Sequence, residues 1–200
     1  LAIADKLRTQ VTSINQGISN GNSAIALLQI ADKSMAEQGK ILDTIKSKLI
    51  QANTDTTSSV GRVAIAKDVN KLLDQLNNIA KQTNYNGTAL LQKGMGSAAA
   101  DTASSAGLTF QIGESNTDII STKSIQANVT GYSLNSLKDN ASAGAGATIS
   151  SDGKTVTANG FTRTMASAAQ TQIDNAITKL NGFRGDIGST QNQVESAVRN

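Results

Sequence analysis

Cysteine, histidine, tryptophan and proline are all absent from the 200 residues, and aromatic residues make up only 2%. Without thiol or imidazole there is no disulfide, no imidazole base, no His/Cys zinc set and no c-type haem attachment. So few aromatics leave no stacking platform for nucleic acid. An excess of one charge is missing too: 18 basic against 15 acidic side chains give +3, and Lys46 and Lys48 are the nearest approach to a basic cluster. A balance of that size speaks for solubility, not for a polyanionic partner. No apolar run nears the ~20 residues of a membrane span, and no secretory signal opens the chain. Asp5, Asp43, Asp68 and Asp74 sit on helical faces as solvated charges, with no paired carboxylates in an apolar pocket. The reading is a chain without catalytic, cofactor or metal site, and with neither nucleic acid nor membrane as partner.

Hydrophobic residues reach 38%, and with few aromatics Ala, Ile, Leu and Val must form the core, which favours slim helix–helix contacts. Leu7, Val11, Ile14, Ile18, Gly21, Ile25 and Leu28 step by fours and threes, the spacing of a coiled-coil seam. Met35, Leu42 and Leu49 continue it, with Ala31, Ile41 and Ile45 beside them. Asp32, Gly39 and Lys46 fall in register, so the contact is interrupted there or drifts to a neighbouring stripe, as a straight helix does by ~20° per heptad. A helix over residues 1–51 is ~75 Å long. A compact globule of this size is only ~45 Å across. A rod is therefore expected.

Asn53-Thr-Asp-Thr-Thr-Ser-Ser59 breaks that helix. Val60, Val63, Ile65, Val69, Leu72, Leu73, Leu76, Ile79 and Ala80 predict a second, ending near Thr83 before the turn signal Asn84-Tyr-Asn-Gly87. Asp68 and Lys71 are placed for an i,i+3 pair. The short connection makes the two helices antiparallel neighbours. In the middle, Leu108, Phe110 and Ile112 alternate as a strand, Ile125, Ala127 and Val129 repeat the pattern, and Asp152-Gly153 reads as a hairpin turn. Gly94–Ala100 and Ala143–Ala147 are low in complexity and read as mobile. Short antiparallel strands with loops, not a second robust core, are expected there. Met165, Ala169, Ile173, Ile177, Leu180, Ile187, Val194 and Val198 predict a third long helix. Gly182, Gly185 and Gly188 inside it mean either a weak helix, at ~1 kcal/mol each, or a close backbone approach. Both terminal helices are in full stride at the ends, with Glu195 and Arg199 still paired at i,i+4, and read as cut. The expected fold is mainly α with a small β part, an elongated antiparallel helical bundle. Its division is 1–93 (two helices and a turn), 94–163 (strands and a small variable outer segment) and 164–200 (returning helix).

Several stretches carry a family resemblance. Leu1-Ala-Ile-Ala-Asp5, Ile18-Ser-Asn-Gly-Asn-Ser-Ala-Ile-Ala-Leu-Leu-Gln-Ile-Ala-Asp32 and Leu108-Thr-Phe-Gln-Ile-Gly113 are similar to flagellin segments. Gln82-Thr-Asn-Tyr-Asn-Gly-Thr-Ala-Leu-Leu91 matches the signature that includes Asn86 and Gly87. Arg184-Gly-Asp-Ile-Gly-Ser-Thr-Gln-Asn192 matches the carboxy-terminal run, with Arg184, Gly188, Gln191 and Asn192 at its fixed positions. The chain thus resembles bacterial flagellin over residues 1–113 and 164–200. The resemblance implies a subunit that is exported unfolded, polymerises into the extracellular filament used for swimming, and meets other flagellin subunits, an export chaperone and a cap protein. As a trimmed piece whose own three helices bury the seam, it is expected to be monomeric.

The resemblance also implies a receptor surface. Where many flagellins read L-Q-R-V-R-E-L and bind vertebrate Toll-like flagellin receptors, this chain reads Leu42-Asp-Thr-Ile-Lys-Ser-Lys48. Thr44 replaces the key Arg, Ser47 an acidic residue, and Leu72 a usual Arg; Lys48 and Asp68 complete the matching positions. Loss of a bidentate donor and its acidic neighbour implies weak recognition. Two other readings stay open from sequence: a hook–filament junction protein, and the coiled-coil stalk of a secreted adhesin. The metalloprotease insert of some flagellins is excluded, because the chain has no histidine.

Overall fold

The computed structural model describes residues 2–94 and 107–199. Four helices carry most of it: α1 (Ala2–Ala52), α2 (Ser59–Gln82), α3 (Asn135–Ala145) and α4 (Arg163–Arg199). Three two-stranded antiparallel ladders complete the described residues: β1 (Asn84–Tyr85) with β2 (Thr88–Ala89), β3 (Thr109–Gln111) with β4 (Ile119–Ser121), and β5 (Thr148–Ile149) with β6 (Val156–Ala158). At 1.5 Å per residue the 51-residue α1 is about 76 Å long, so the bundle is elongated.

Both α2 and α4 run antiparallel to α1. Lys48 meets Asp68 of α2 at 3.2 Å, while Lys46 meets Asp174 of α4 at 2.6 Å and Asp32 meets Arg184 at 2.8 Å. The buried line of α1 is Gly17, Gly21, Ala24, Leu28, Ala31, Met35, Gln38, Leu42, Ile45, Leu49 and Ala52, an unbroken alternation of fours and threes. The line through Leu28, Met35, Leu42 and Leu49 persists, while its companion shifts from Val11, Ile18 and Ile25 to Ala24, Ala31, Gln38 and Ile45. That is the expected drift to a neighbouring stripe.

Burial over the first third of that seam departs from expectation. Leu7, Val11 and Ile14 are 57%, 57% and 56% exposed, and Ile3 and Ile18 are exposed as well. Register explains it. The Cβ that Gly21 lacks would lie 2.2 Å from Val198, one residue short of the last described position of α4, so no described α4 residue faces α1 ahead of that point. Among the described residues the chain's own helices cover the seam from Gly21 onward, and Leu7, Val11 and Ile14 lie exposed.

Helix α2 starts where Ser58, extended at φ −70° and ψ 161°, accepts the Gly61 amide on Oγ at 2.9 Å, a cap worth about 1 kcal/mol. It stops at Thr83, whose hydroxyl donates to the Ile79 carbonyl at 2.6 Å. Asp68 pairs with Lys48 across the helix interface rather than with Lys71. The C-terminal pair of Glu195 and Arg199 is present at 3.4 Å.

In the middle segment the Leu108–Ile112 strand and the Asp152-Gly153 hairpin form as expected. Ile125, Ala127 and Val129 do not form a strand. They are buried, but no ladder forms: the Ala127 amide makes a single backbone bond to the Leu91 carbonyl at 2.8 Å, while the Val129 amide donates to Asn77 Oδ1 at 2.8 Å and the Ala127 carbonyl accepts from the Gln38 side chain at 2.7 Å. Alternation reported burial correctly and hydrogen bonding wrongly. Nor is the middle a loose appendage. Ala143–Ala145 close helix α3, which lies on α2, and Tyr132, Leu134, Leu137 and Phe161 join the same core as the long helices. Of the Gly94–Ala100 stretch, residues 95–100 lie outside the described residues.

Of the two readings for Gly182, Gly185 and Gly188, close backbone approach fails: a Cβ at any of them meets nothing within 4 Å. Gly17 is where the approach occurs. Its missing Cβ would sit 2.0 Å from the Ile112 carbonyl oxygen, and Asn20 one turn on donates to the Gln111 carbonyl at 2.8 Å. Alanine at position 17 gains up to ~1 kcal/mol in helix propensity yet cannot coexist with the docked hairpin. The expected result for Gly17→Ala is faster amide exchange at Phe110 and Ile112; unchanged protection there would rule out the close contact.

Candidate functional surface

The helix interface places four of the five receptor-matching positions on one face. The register that joins Lys48 to Asp68 sets Thr44, one turn back on α1, opposite Leu72, one turn on along α2. Thr44 is exposed and its hydroxyl donates to the Lys40 carbonyl at 2.9 Å, so its polar atom is turned onto its own helix. Leu72 is half-buried against the core. Lys48 and Asp68, with 35% and 49% of their side-chain surfaces exposed, satisfy each other. Ser47 is exposed beside them. The patch therefore offers outward no guanidinium, and its one carboxylate is already engaged.

The motif residues hold the rod together rather than forming a pocket. Asn86 (φ 51°) and Gly87 (φ 85°) are the two central residues of the β1–β2 hairpin, a turn that needs positive φ at both positions. Asn84 Oδ1 accepts the Gly87 amide at 3.1 Å, and the turn delivers Leu90 and Leu91 into the core. Arg184 grips Asp32 with two bonds, Nε at 2.8 Å and Nη2 at 3.2 Å. That bond and the carboxylate's charge hold the guanidinium above its ordinary value, and the clamp fixes α4 to α1. Gln191 donates to Glu195 at 3.3 Å, while Gly188 and Asn192 are exposed. These residues are strung along the rod and do not converge.

Sequence reading missed Gln38. Fully buried, its amide donates to the Leu76 and Ala127 carbonyls at 3.2 and 2.7 Å and accepts the Tyr132 hydroxyl at 2.9 Å. One side chain thereby joins α1, α2 and the buried segment. The signal was its place in the line Ala24, Ala31, Gln38, Ile45. Among the described residues no group of His, Cys, Asp or Glu side chains is placed to hold a metal ion, and no helix is long and apolar enough to cross a membrane.

Comparison with known proteins agrees with this surface-dominated molecule. Residues 1–95 match the bacterial flagellin N-terminal helical region. Over 91 residues, 46% of this chain, it is 48% identical to flagellin B of Helicobacter pylori and to flagellin A of Helicobacter mustelae, and 36% identical to a flagellin of Clostridium tyrobutyricum. The matched stretch spans only 18% of the length of each Helicobacter relative and 24% of the clostridial one. The fold is similar to the crystal structure of Bacillus cereus flagellin, with a TM-score of 0.65 over 91% of this chain and 88% of that one, at 21% identity. In sequence the chain is thus similar to the amino-terminal helical region of bacterial flagellins over residues 1–95, and in fold it is similar to a flagellin over nearly its whole described length.

Proposed function

We propose that this chain is the rod-shaped part of a flagellar filament subunit, with residues 1–93 and 164–200 forming the rod and 94–163 the strands and a small outer segment. Other copies of the subunit are its main partners, and its role is structural, not catalytic. The observation that carries the reading is the family match over residues 1–95 on a slender antiparallel helical bundle. The family resemblance supports export through the flagellar channel, with a chaperone before and a cap protein at the tip, and a location outside the cell. Immunogold labelling with antibody to this chain decides the matter. Gold along the whole filament is expected. A single band next to the hook would instead mean a junction protein, and patches on the cell body an adhesin stalk.

Weak recognition by Toll-like flagellin receptors is the second part of the reading. It is supported by Thr44, Ser47 and Leu72 in place of charged residues, and by the internal Lys48–Asp68 pair. Charge-assisted bonds contribute about 1.5–3 kcal/mol each, so potency in a receptor-reporter assay should be at least about tenfold below that of a flagellin carrying the Arg and Glu. Thr44→Arg should recover part of it. Potency equal to such a flagellin would refute the evasion.

A further inference from the structure

At the end of the bundle where α2 and α4 both begin, Ser59, Arg62, Val156, Phe161, Thr162 and Arg163 line a cavity of about 400 Å³. Its two basic side chains differ in their surroundings. Arg163 is neutralised by Asp55 and also donates Nε to the Asn53 carbonyl at 2.9 Å. Arg62 is half-buried and forms no ion pair among the described residues; Nη1 donates to the Thr57 carbonyl at 2.8 Å, and Nε is buried with no acceptor at all. A half-buried guanidinium without a counter-charge is costly. The backbone adds charge of the same sign. Ser58 Oγ and Thr162 Oγ1 cap one amide each, on Gly61 and Met165, and neither helix carries an acidic residue in its first turn. A helix start ordinarily favours acids over arginines.

We propose that this cavity binds a small oxyanion of sulfate or phosphate size, with the Arg62 guanidinium as its principal ligand. The inference does not depend on the filament reading. Planar guanidinium donors suit a tetrahedral oxyanion, and the uncapped first-turn amides of the two helices add to the field. The test is a thermal melt of the full chain in rising sodium sulfate, held at constant ionic strength against sodium chloride. At sulfate ten times its dissociation constant, Tm should stand about 3–5 °C above the chloride reference. Arg62→Gln should abolish the rise, with helix content checked by circular dichroism. Arg62→Lys, which keeps the charge without the planar fork, should reduce it and decides the matter if the glutamine variant does not fold. A wild-type melt that follows the chloride curve, or a rise retained in full by either variant, would overturn the site.

Discussion

Gln38→Leu should lower stability by about 2–5 kcal/mol, although it places a leucine in the middle of an apolar seam. By pattern alone the substitution looks favourable, since the flanking seam positions are Ala31, Met35, Leu42 and Ile45, all buried. What decides the sign is the pair of groups left behind. The Ala127 carbonyl loses its 2.7 Å donor and the Tyr132 hydroxyl its 2.9 Å acceptor, and each orphaned buried group costs about 1–3 kcal/mol. For a chain of this length that is a fall in Tm of roughly 5–15 °C. Adding Tyr132→Phe removes one orphan, so the double variant should recover part of the loss, and the cycle gives the coupling between the two residues. An unchanged or higher Tm in Gln38→Leu would show that the amide contributes nothing.

Alkaline pH should attack the same place. Tyr132 is buried with its hydroxyl on Gln38, and desolvation raises its pKa far above the ordinary 10.0. The folded chain keeps the proton that the unfolded chain releases. The contribution is therefore fully present below about pH 10 and is lost as pH climbs beyond it, at more than about 1 kcal/mol per pH unit. Denaturant melts between pH 9 and 12 should show this extra slope in the native protein and lack it in Tyr132→Phe. The difference between the two proteins carries the information. Parallel slopes would mean the phenol is not held neutral by the fold.

The long helices were legible because period, length and the missing prolines all agreed; α1, α2 and α4 begin and end within a few residues of expectation. Tight turns were legible for a different reason. Asn86-Gly87 and Asp152-Gly153 are residue pairs that tolerate left-handed backbone. Helix α3 was missed because its buried set is only Leu137, Ala141 and Gly144, too few and too small for periodicity to register, and because Ala143–Ala147 resembles a linker. The buried segment through Val129 was misread because alternation reports which side is dry, not what the backbone bonds. Exposure at Leu7 was hidden for a reason no local pattern can supply: a helix face is covered only if its partner reaches it. Arg184 stands out by resemblance, but its work as a clamp depends on how α4 packs against Asp32 of α1.

The antiparallel course of α2 and α4 along α1 has a mechanical consequence. A pull along the long axis loads their interfaces in shear, so knobs from Ala24 to Ala52 resist together instead of parting one after another. The Arg184–Asp32 and Lys46–Asp174 bridges lie across that sliding direction and act as cross-ties, giving the bundle stiffness in tension with no covalent fastening.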